Sequence, residues 1–213
     1  MSVVTWHRET NGQKTVEALR KNGFDAHYVA GREEAAERAL RFVAPGASVG
    51  FGGSMTLEQD LGFHARVESR GGNLIRFPGY DASPDAIADA MRRALTCDVF
   101  FSSVNAVTQN GFLVSIDGAG NRVAALTFGP RKTVVLAGIN KVVKDEAAAW
   151  ERLQNKAAPM NMKRLNLPNP CTQTGRCVDC KNDTRGCRIY HVLKRRPLLS
   201  DVTVILVGEA MGY

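Results

Sequence analysis

No apolar run in this chain of 213 residues approaches the ~20 residues that cross a bilayer, so no membrane span is expected. The opening stretch, MSVVTWHRETNGQKT, lacks the basic patch and apolar run of a secretory signal, and the expected compartment is the cytoplasm. Aromatic residues are only 7% of the chain, and the basic C-terminal region holds few of them to stack on bases. With no helix-turn-helix or RNA-binding signature either, nucleic acid is not the expected partner. The glycine-rich turn has no Walker lysine and no third Rossmann glycine, so neither common nucleotide-binding fingerprint is met. Internal repeats, linkers and low-complexity segments are absent, which leaves residues 1–213 as one domain.

What is present is an ordinary globular composition, 44% apolar and 23% charged, with its charge unevenly placed. Up to Trp150 there are 17 Lys/Arg against 16 Asp/Glu; from Glu151 onward there are 11 against 5. Nearly all of the net +7 therefore lies in the tail. That same tail holds four of the five cysteines, in the stretch NPCTQTGRCVDCKNDTRGCRIYH (residues 169–191). Thiolates around a metal carry excess negative charge, and neighbouring Arg and Lys offset it.

Helix-forming composition marks residues 16–21 and 33–42, with a short strand expected between them over 24–30. ASVGFGGSMTLEQDLGF reads as a strand, a glycine turn and a helix start, and NLIRF (73–77) as another strand. Ser83 and Pro84 open a helix as cap and first helical residue. CDVFFSSV is apolar enough for a buried strand. Three strands are expected over 112–116, 122–127 and 133–137, with DGAGN as a hairpin turn between the first two. KDEAAAWERLQNKAA is helical, and the apolar run 202–207 is a late, central strand. The pattern predicts an α/β fold, a mixed and largely parallel sheet flanked by helices, with the cysteine-rich loop inserted before the last strand.

Candidate site residues lie in loops that follow buried strands, where open α/β sheets bind ligands. In VGFGGSMT, Gly52 and Gly53 let backbone amides approach an anion, and Ser54 and Thr56 add hydroxyls. Glu58, two residues further on, is a candidate catalytic carboxylate or an exposed first-turn residue. SSVNAVTQNG supplies Asn105 and Thr108, SIDGAGNR supplies Asp117 and Arg122, and GINK supplies Asn140 and Lys141. Asp117 is the second candidate carboxylate, although turn chemistry also explains it. Together these loops suggest a pocket for a small anion.

VGFGGSMTLEQDLG, NAVTQNG, IDGAGNRVAALTFGPRKTVVLAGINKVVKD, AAPMN and VTVILVGEAMGY together resemble the lactate-utilisation (LUD) domain family. The resemblance runs from about Ala47 to Tyr213 and implies a fold like that of the ribose-5-phosphate isomerase and CoA-transferase superfamily. It also implies participation in the oxidation of lactate, or a related 2-hydroxy acid, to the 2-oxo acid, alongside partner proteins of a lactate-oxidation system. Relatives often carry an acidic residue where this chain has Gln109, which removes one candidate general base. Whether the chain is itself an enzyme stays open. The alternatives are a non-redox isomerase or CoA-transferase-like enzyme using Glu58 or Asp117, and a non-catalytic partner subunit.

Cys171, Cys177, Cys180 and Cys187 follow the pattern C-x5-C-x2-C-x6-C. Disulfides are not expected in the cytosol, and structural zinc commonly uses two C-x-x-C knuckles where this loop has one. A [4Fe–4S] cluster needs four thiolates and is the favoured cofactor, given the redox pathway, with zinc the alternative. His191 is a possible replacement ligand, and Cys97 is expected to be simply buried.

Overall fold

The structure is a computed structural model and describes residues 1–79 and 81–213. Strands β1 (Asp25–Val29), β2 (Ser48–Phe51), β3 (Asn73–Leu74), β4 (Val99–Ser102), β7 (Lys132–Gly138) and β10 (Val202–Val207) form a six-stranded sheet. Their order is β1-β10-β7-β4-β2-β3, and every pair is parallel. The last strand is interior but not central: it lies second from the edge, between β1 and β7, and all six of its residues are buried, as its unbroken apolar run demands. A smaller mixed sheet, ordered β8-β5-β6-β9, joins β5 (Ala106–Thr108), β6 (Leu113–Asp117), β8 (Val142–Val143) and β9 (Ile189–Leu193).

Helices cover both faces of the main sheet. On one side α2 (Arg32–Leu40) and α3 (Phe63–Ser69) bury Ala35, Ala39, Leu40, Phe63 and Val67 against Val134, Leu136, Ile205 and Val207. On the other, α1 (Val3–Lys21) sets Val16 and Leu19 against Val135, Val204 and Leu206. Helix α1 begins thirteen residues before the helix expected at Val16, because the Ser2 side chain accepts from the Thr5 amide and caps it. Helix α4 (Pro84–Ala94) starts at its expected Ser83 cap.

Two expectations are corrected. Residues 122–127 are not a strand but lie in helix α5 (Asn121–Thr127), and DGAGN is a strand-to-helix turn rather than a hairpin. The Asp117 side chain accepts from the Gly120 amide at 2.8 Å, and Gly120 takes φ +92, which reverses the chain into a helical turn. The edge of β6 that a hairpin would have used is instead taken by β9. The second concerns the helix expected over KDEAAAWERLQNKAA. It runs as α6 (Glu146–Arg152), a π-helical turn (Leu153–Ala157) and α7 (Ala158–Arg164). Pro159 supplies no amide, and the widened turn before it accommodates the missing bond.

The cysteine loop leaves α7 through a four-residue helix, α8 (Cys171–Thr174), and returns as β9, whose first residues were expected to belong to the loop. Strand β9 then leads to β10, so the loop is an excursion from the domain.

Candidate functional site

Strands β2, β4, β7 and β10 are neighbours in one parallel sheet, so the segments leaving their carboxyl ends emerge side by side. These are the glycine turn before Thr56, the Ser103–Asn105 corner, the Ile139–Lys141 3₁₀ turn and the closing Gly212 and Tyr213. They border a cavity of about 650 Å³, of a size usual for small-ligand sites. Gly53, Ser54, Thr56, Glu58, Asn105, Asp117, Arg122 and Lys141 all line it. Of the other sequence candidates, Thr108 accepts from the Phe112 amide inside the small sheet. Asn140 clamps the C-terminal segment through the Met211 amide and the Gly212 carbonyl. Gly52 packs against Arg122 and does not line the cavity.

Lys141 is almost wholly buried, and its Nζ donates to Thr56 Oγ1 at 3.0 Å and Ser103 Oγ at 2.9 Å. Among the described residues it has no ion pair. Burial, with Arg152 and Arg122 nearby, pushes its pKa down to about 7. Asp60 pulls the other way, but its carboxylate accepts from the Gly212 amide at 2.7 Å.

Arg122 plays a different part. Its guanidinium donates to Asp117, to Asn105 Oδ1 and to the carbonyls of Ser103 and Ile116. With all its reach taken up, it is a buried peg joining both sheets at the cavity wall. Asp117 is held by Arg122 and by the Gly120 amide. Glu58 turns back so that Oε1 accepts from the Ser54 amide at 3.3 Å, an internal anion at the glycine turn.

Sequence reasoning missed Ser103, Asn161, Arg164 and Tyr213. Arg164 lines the cavity and donates only to neutral groups, Asn161 Oδ1 at 2.9 Å and the Tyr213 hydroxyl at 3.0 Å. Among the described residues it has no carboxylate partner. Ser103 was visible as the second serine after a buried strand; Arg164 sat among tail cations that were read together.

The cysteine loop borders the same cavity through Gly186 and Cys187. Cys171 is buried and the other three are half-buried. Burial and the Cys177, Cys171 and Cys180 thiols push the Cys187 thiol up to about 11, while Arg185 acts against them. Burial, then Cys180 and Cys177, likewise raise the Cys171 thiol. The four groups thus lie within electrostatic reach of one another.

Arg185 straps the loop, donating to the carbonyls of Cys180 and Cys187 and to Asp179. Asn169, buried at the loop's root, accepts from Thr184 Oγ1 at 2.6 Å and donates to the Thr184 carbonyl. The Cys177 amide donates to the Gln154 carbonyl in the π-helical turn. Among the described residues no three metal-ligating side chains stand grouped so that they could hold a metal ion. Cys97 lies apart, with its thiol pushed up to about 11 by burial. His191 sits in β9 with Nε2 at 2.9 Å from Thr127 Oγ1.

A parallel α/β sheet with a polar cavity at its carboxyl edge defines the class of protein. The LUD domain model matches residues 12–207, and the chain belongs to that family, which is linked to lactate utilisation. Among solved structures, a DUF162-family protein from Deinococcus radiodurans is similar at 14% identity and a TM-score of 0.51. The alignment covers 94% of this chain and 98% of that one, and supports the fold. No curated protein matches the chain. Among the described residues no helix is long and apolar enough to cross a membrane.

Proposed function

We propose that this LUD-domain chain takes part in oxidising lactate, or a related 2-hydroxy acid, to the 2-oxo acid. In this reading Cys171, Cys177, Cys180 and Cys187 hold a metal centre beside a cavity for the small anion. The observation that carries it is that Cys187 lines the same cavity as Lys141, Thr56 and Arg164. A cysteine loop serving only as a clasp has no need to border the polar cavity.

The donor set suits a [4Fe–4S] group, which exchanges single electrons and would supply the redox chemistry when bound. Oxidation of a 2-hydroxy acid releases two electrons and two protons, so a partner protein of the lactate-oxidation system takes the electrons on. Arg164, whose partners are neutral, anchors the carboxylate. The Thr56 and Ser103 hydroxyls and the Lys141 amine receive the proton leaving the substrate hydroxyl. Asp117 holds Arg122 in place, and the pair is largely shielded from solvent. Acid–base chemistry by Asp117 alone is less well supported, because its carboxylate is committed to Arg122 and Gly120.

Anaerobic purification followed by metal analysis and visible spectroscopy tests this reading. About four irons per chain and a brown absorbance that bleaches on adding lactate are expected of a working [4Fe–4S] protein. One zinc and no colour would make the loop a structural clasp and overturn the redox role.

A further inference from the structure

We propose that Lys141 is a nucleophile that captures the carbonyl of a 2-oxo acid as an imine. The inference rests on the 2-hydroxy acid reading of the cavity and assigns that cavity a covalent step.

The geometry around the amine carries it. Lys141 is 4% exposed and lines the cavity, yet among the described residues no carboxylate pairs with it. A structural buried lysine is ordinarily paired, because an isolated ammonium is costly to bury. Among the described residues its two hydrogen-bond partners are the hydroxyls of Thr56 and Ser103. A neutral amine has two N–H bonds and one lone pair. The two acceptors satisfy both hydrogens and leave the lone pair free, whereas an ammonium would keep a third hydrogen with no protein acceptor among the described residues. Arg152 and Arg122 stand near enough to disfavour the charged form further. A desolvated lysine beside other cations is the setting in which amines act as nucleophiles at neutral pH.

The cavity also fits the electrophile. Arg164 faces it with neutral partners and suits a carboxylate, while Phe51, Leu74 and Met91 line it as an apolar portion. At about 650 Å³ it has room for a 2-oxo acid with an apolar side chain as well as for pyruvate.

The step balances without an oxidant. The Lys141 nitrogen attacks the carbonyl carbon, a C–N bond forms, and the carbonyl oxygen takes a proton to give a carbinolamine. That proton comes from the amine; the nitrogen then gives up its second proton to the hydroxyl, which leaves as water as the C=N bond closes. Amine plus carbonyl yields imine plus water, with Thr56 and Ser103 placed to pass the protons.

Borohydride trapping on the intact protein reads the step. The chain is incubated with pyruvate or with 4-methyl-2-oxopentanoate, treated with borohydride, digested and mapped by mass spectrometry. The expected result is one reduced adduct on Lys141, saturating with the oxo acid and absent from Lys141→Gln and Lys141→Arg. Loss of the adduct when a folded Lys141→Gln is used supports the assignment, and the wild-type peptide map stands even if that variant misfolds. No Lys141 adduct with either oxo acid, or adducts spread over surface lysines alone, would overturn it. The trap needs no metal, so its failure is separable from that of the redox reading. An adduct in a protein that holds no iron leaves the imine standing and removes the oxidation. Lactate-dependent bleaching with no adduct does the reverse.

Discussion

The Arg122 guanidinium meets the Asp117 carboxylate at 3.2 Å, with the two side chains 15% and 8% exposed. Burial works against the arginine's charge, and Asp117 is what supports it. Removing one partner of such a pair leaves the other buried and unpaired. Arg122→Met is therefore expected to cost about 3–5 kcal/mol in urea unfolding. Adding Asp117→Asn, which keeps the Gly120 cap, should recover part of that loss. A double variant as unstable as the sum of the singles would mean the pair is not coupled.

Gly52 and Gly53 are adjacent but should respond differently to alanine. A Cβ on Gly52 would stand 2.8 Å from Arg122 Cγ and 2.9 Å from both Arg122 Cδ and Ser102 Oγ. Arg122 is pinned by its acceptors and cannot swing aside, so Gly52→Ala is expected to cost about 1–3 kcal/mol. The nearest atom to a Cβ on Gly53 is Glu58 Oε1, at 3.9 Å. Gly53→Ala should stay within about 0.5 kcal/mol. Thermal melts of the two variants check the contrast.

Lys141 gives stability a pH dependence of definite sign. Its pKa falls from 10.5 in the unfolded chain to about 7 in the fold, through burial first and then Arg152 and Arg122, opposed by Asp60. Between those values the unfolded state holds the extra proton, so this group's contribution to stability rises with pH from about 7 to 10.5. At ~1.4 kcal/mol per unit, burying the charged form costs a few kcal/mol below pH 7. Lys141→Met should therefore stabilise the protein, most strongly at pH 6 and progressively less toward pH 10. Denaturant titrations of both proteins across that range measure it, and a gain that does not shrink with rising pH would contradict the depressed pKa.

Asn169 holds the root of the cysteine loop through three bonds made with Thr184 and Asn182. Asn169→Ala removes them and leaves the Thr184 carbonyl without that donor, at a local cost of about 1–3 kcal/mol. Because the loop is an excursion, the main sheet should keep its melting temperature. Trypsin should cut faster at Lys181, within the loop. Unchanged cleavage would show that Arg185, which bonds the carbonyls of Cys180 and Cys187, is enough to hold it.

The parallel sheet was legible because its strands are short apolar runs separated by helix signals, with 202–207 the clearest of them. Residues 122–127 were not. Six residues of Arg, Val, Ala, Ala, Leu and Thr fit either period, and the choice was made outside them, by the Asp117 cap on Gly120 and by β9 taking the open edge of β6. At the site, Thr56, Asn105, Arg122 and Lys141 were legible from their place after buried strands. What they do there was not. Arg122 has the look of a ligand-binding cation, and only its hydrogen bonds reveal a peg. Arg164 and Tyr213 reach the cavity from elements more than 40 residues apart, a juxtaposition that no local pattern encodes.

The cysteines divide into two groups by environment, and substitution should separate them. Cys97 is packed with Phe100 and Ala94, its thiol donates to the Val99 carbonyl, and burial holds it protonated. Among the described residues no other cysteine acts on it, unlike the loop thiols, and it serves as a packing group. Burial first, and then the other loop cysteines including Cys180, push the Cys171 and Cys187 thiols up. On the proposed reading a metal would replace that mutual repulsion with attraction, and losing one of the four cysteines would weaken the whole set. Cys180→Ser is therefore expected to abolish metal loading on anaerobic purification, while Cys97→Ser keeps full loading and loses about 1 kcal/mol of stability. Metal analysis of the two variants side by side decides the matter: full loading of Cys180→Ser would remove the loop as the metal site, and equal loss in both would trace the defect to folding.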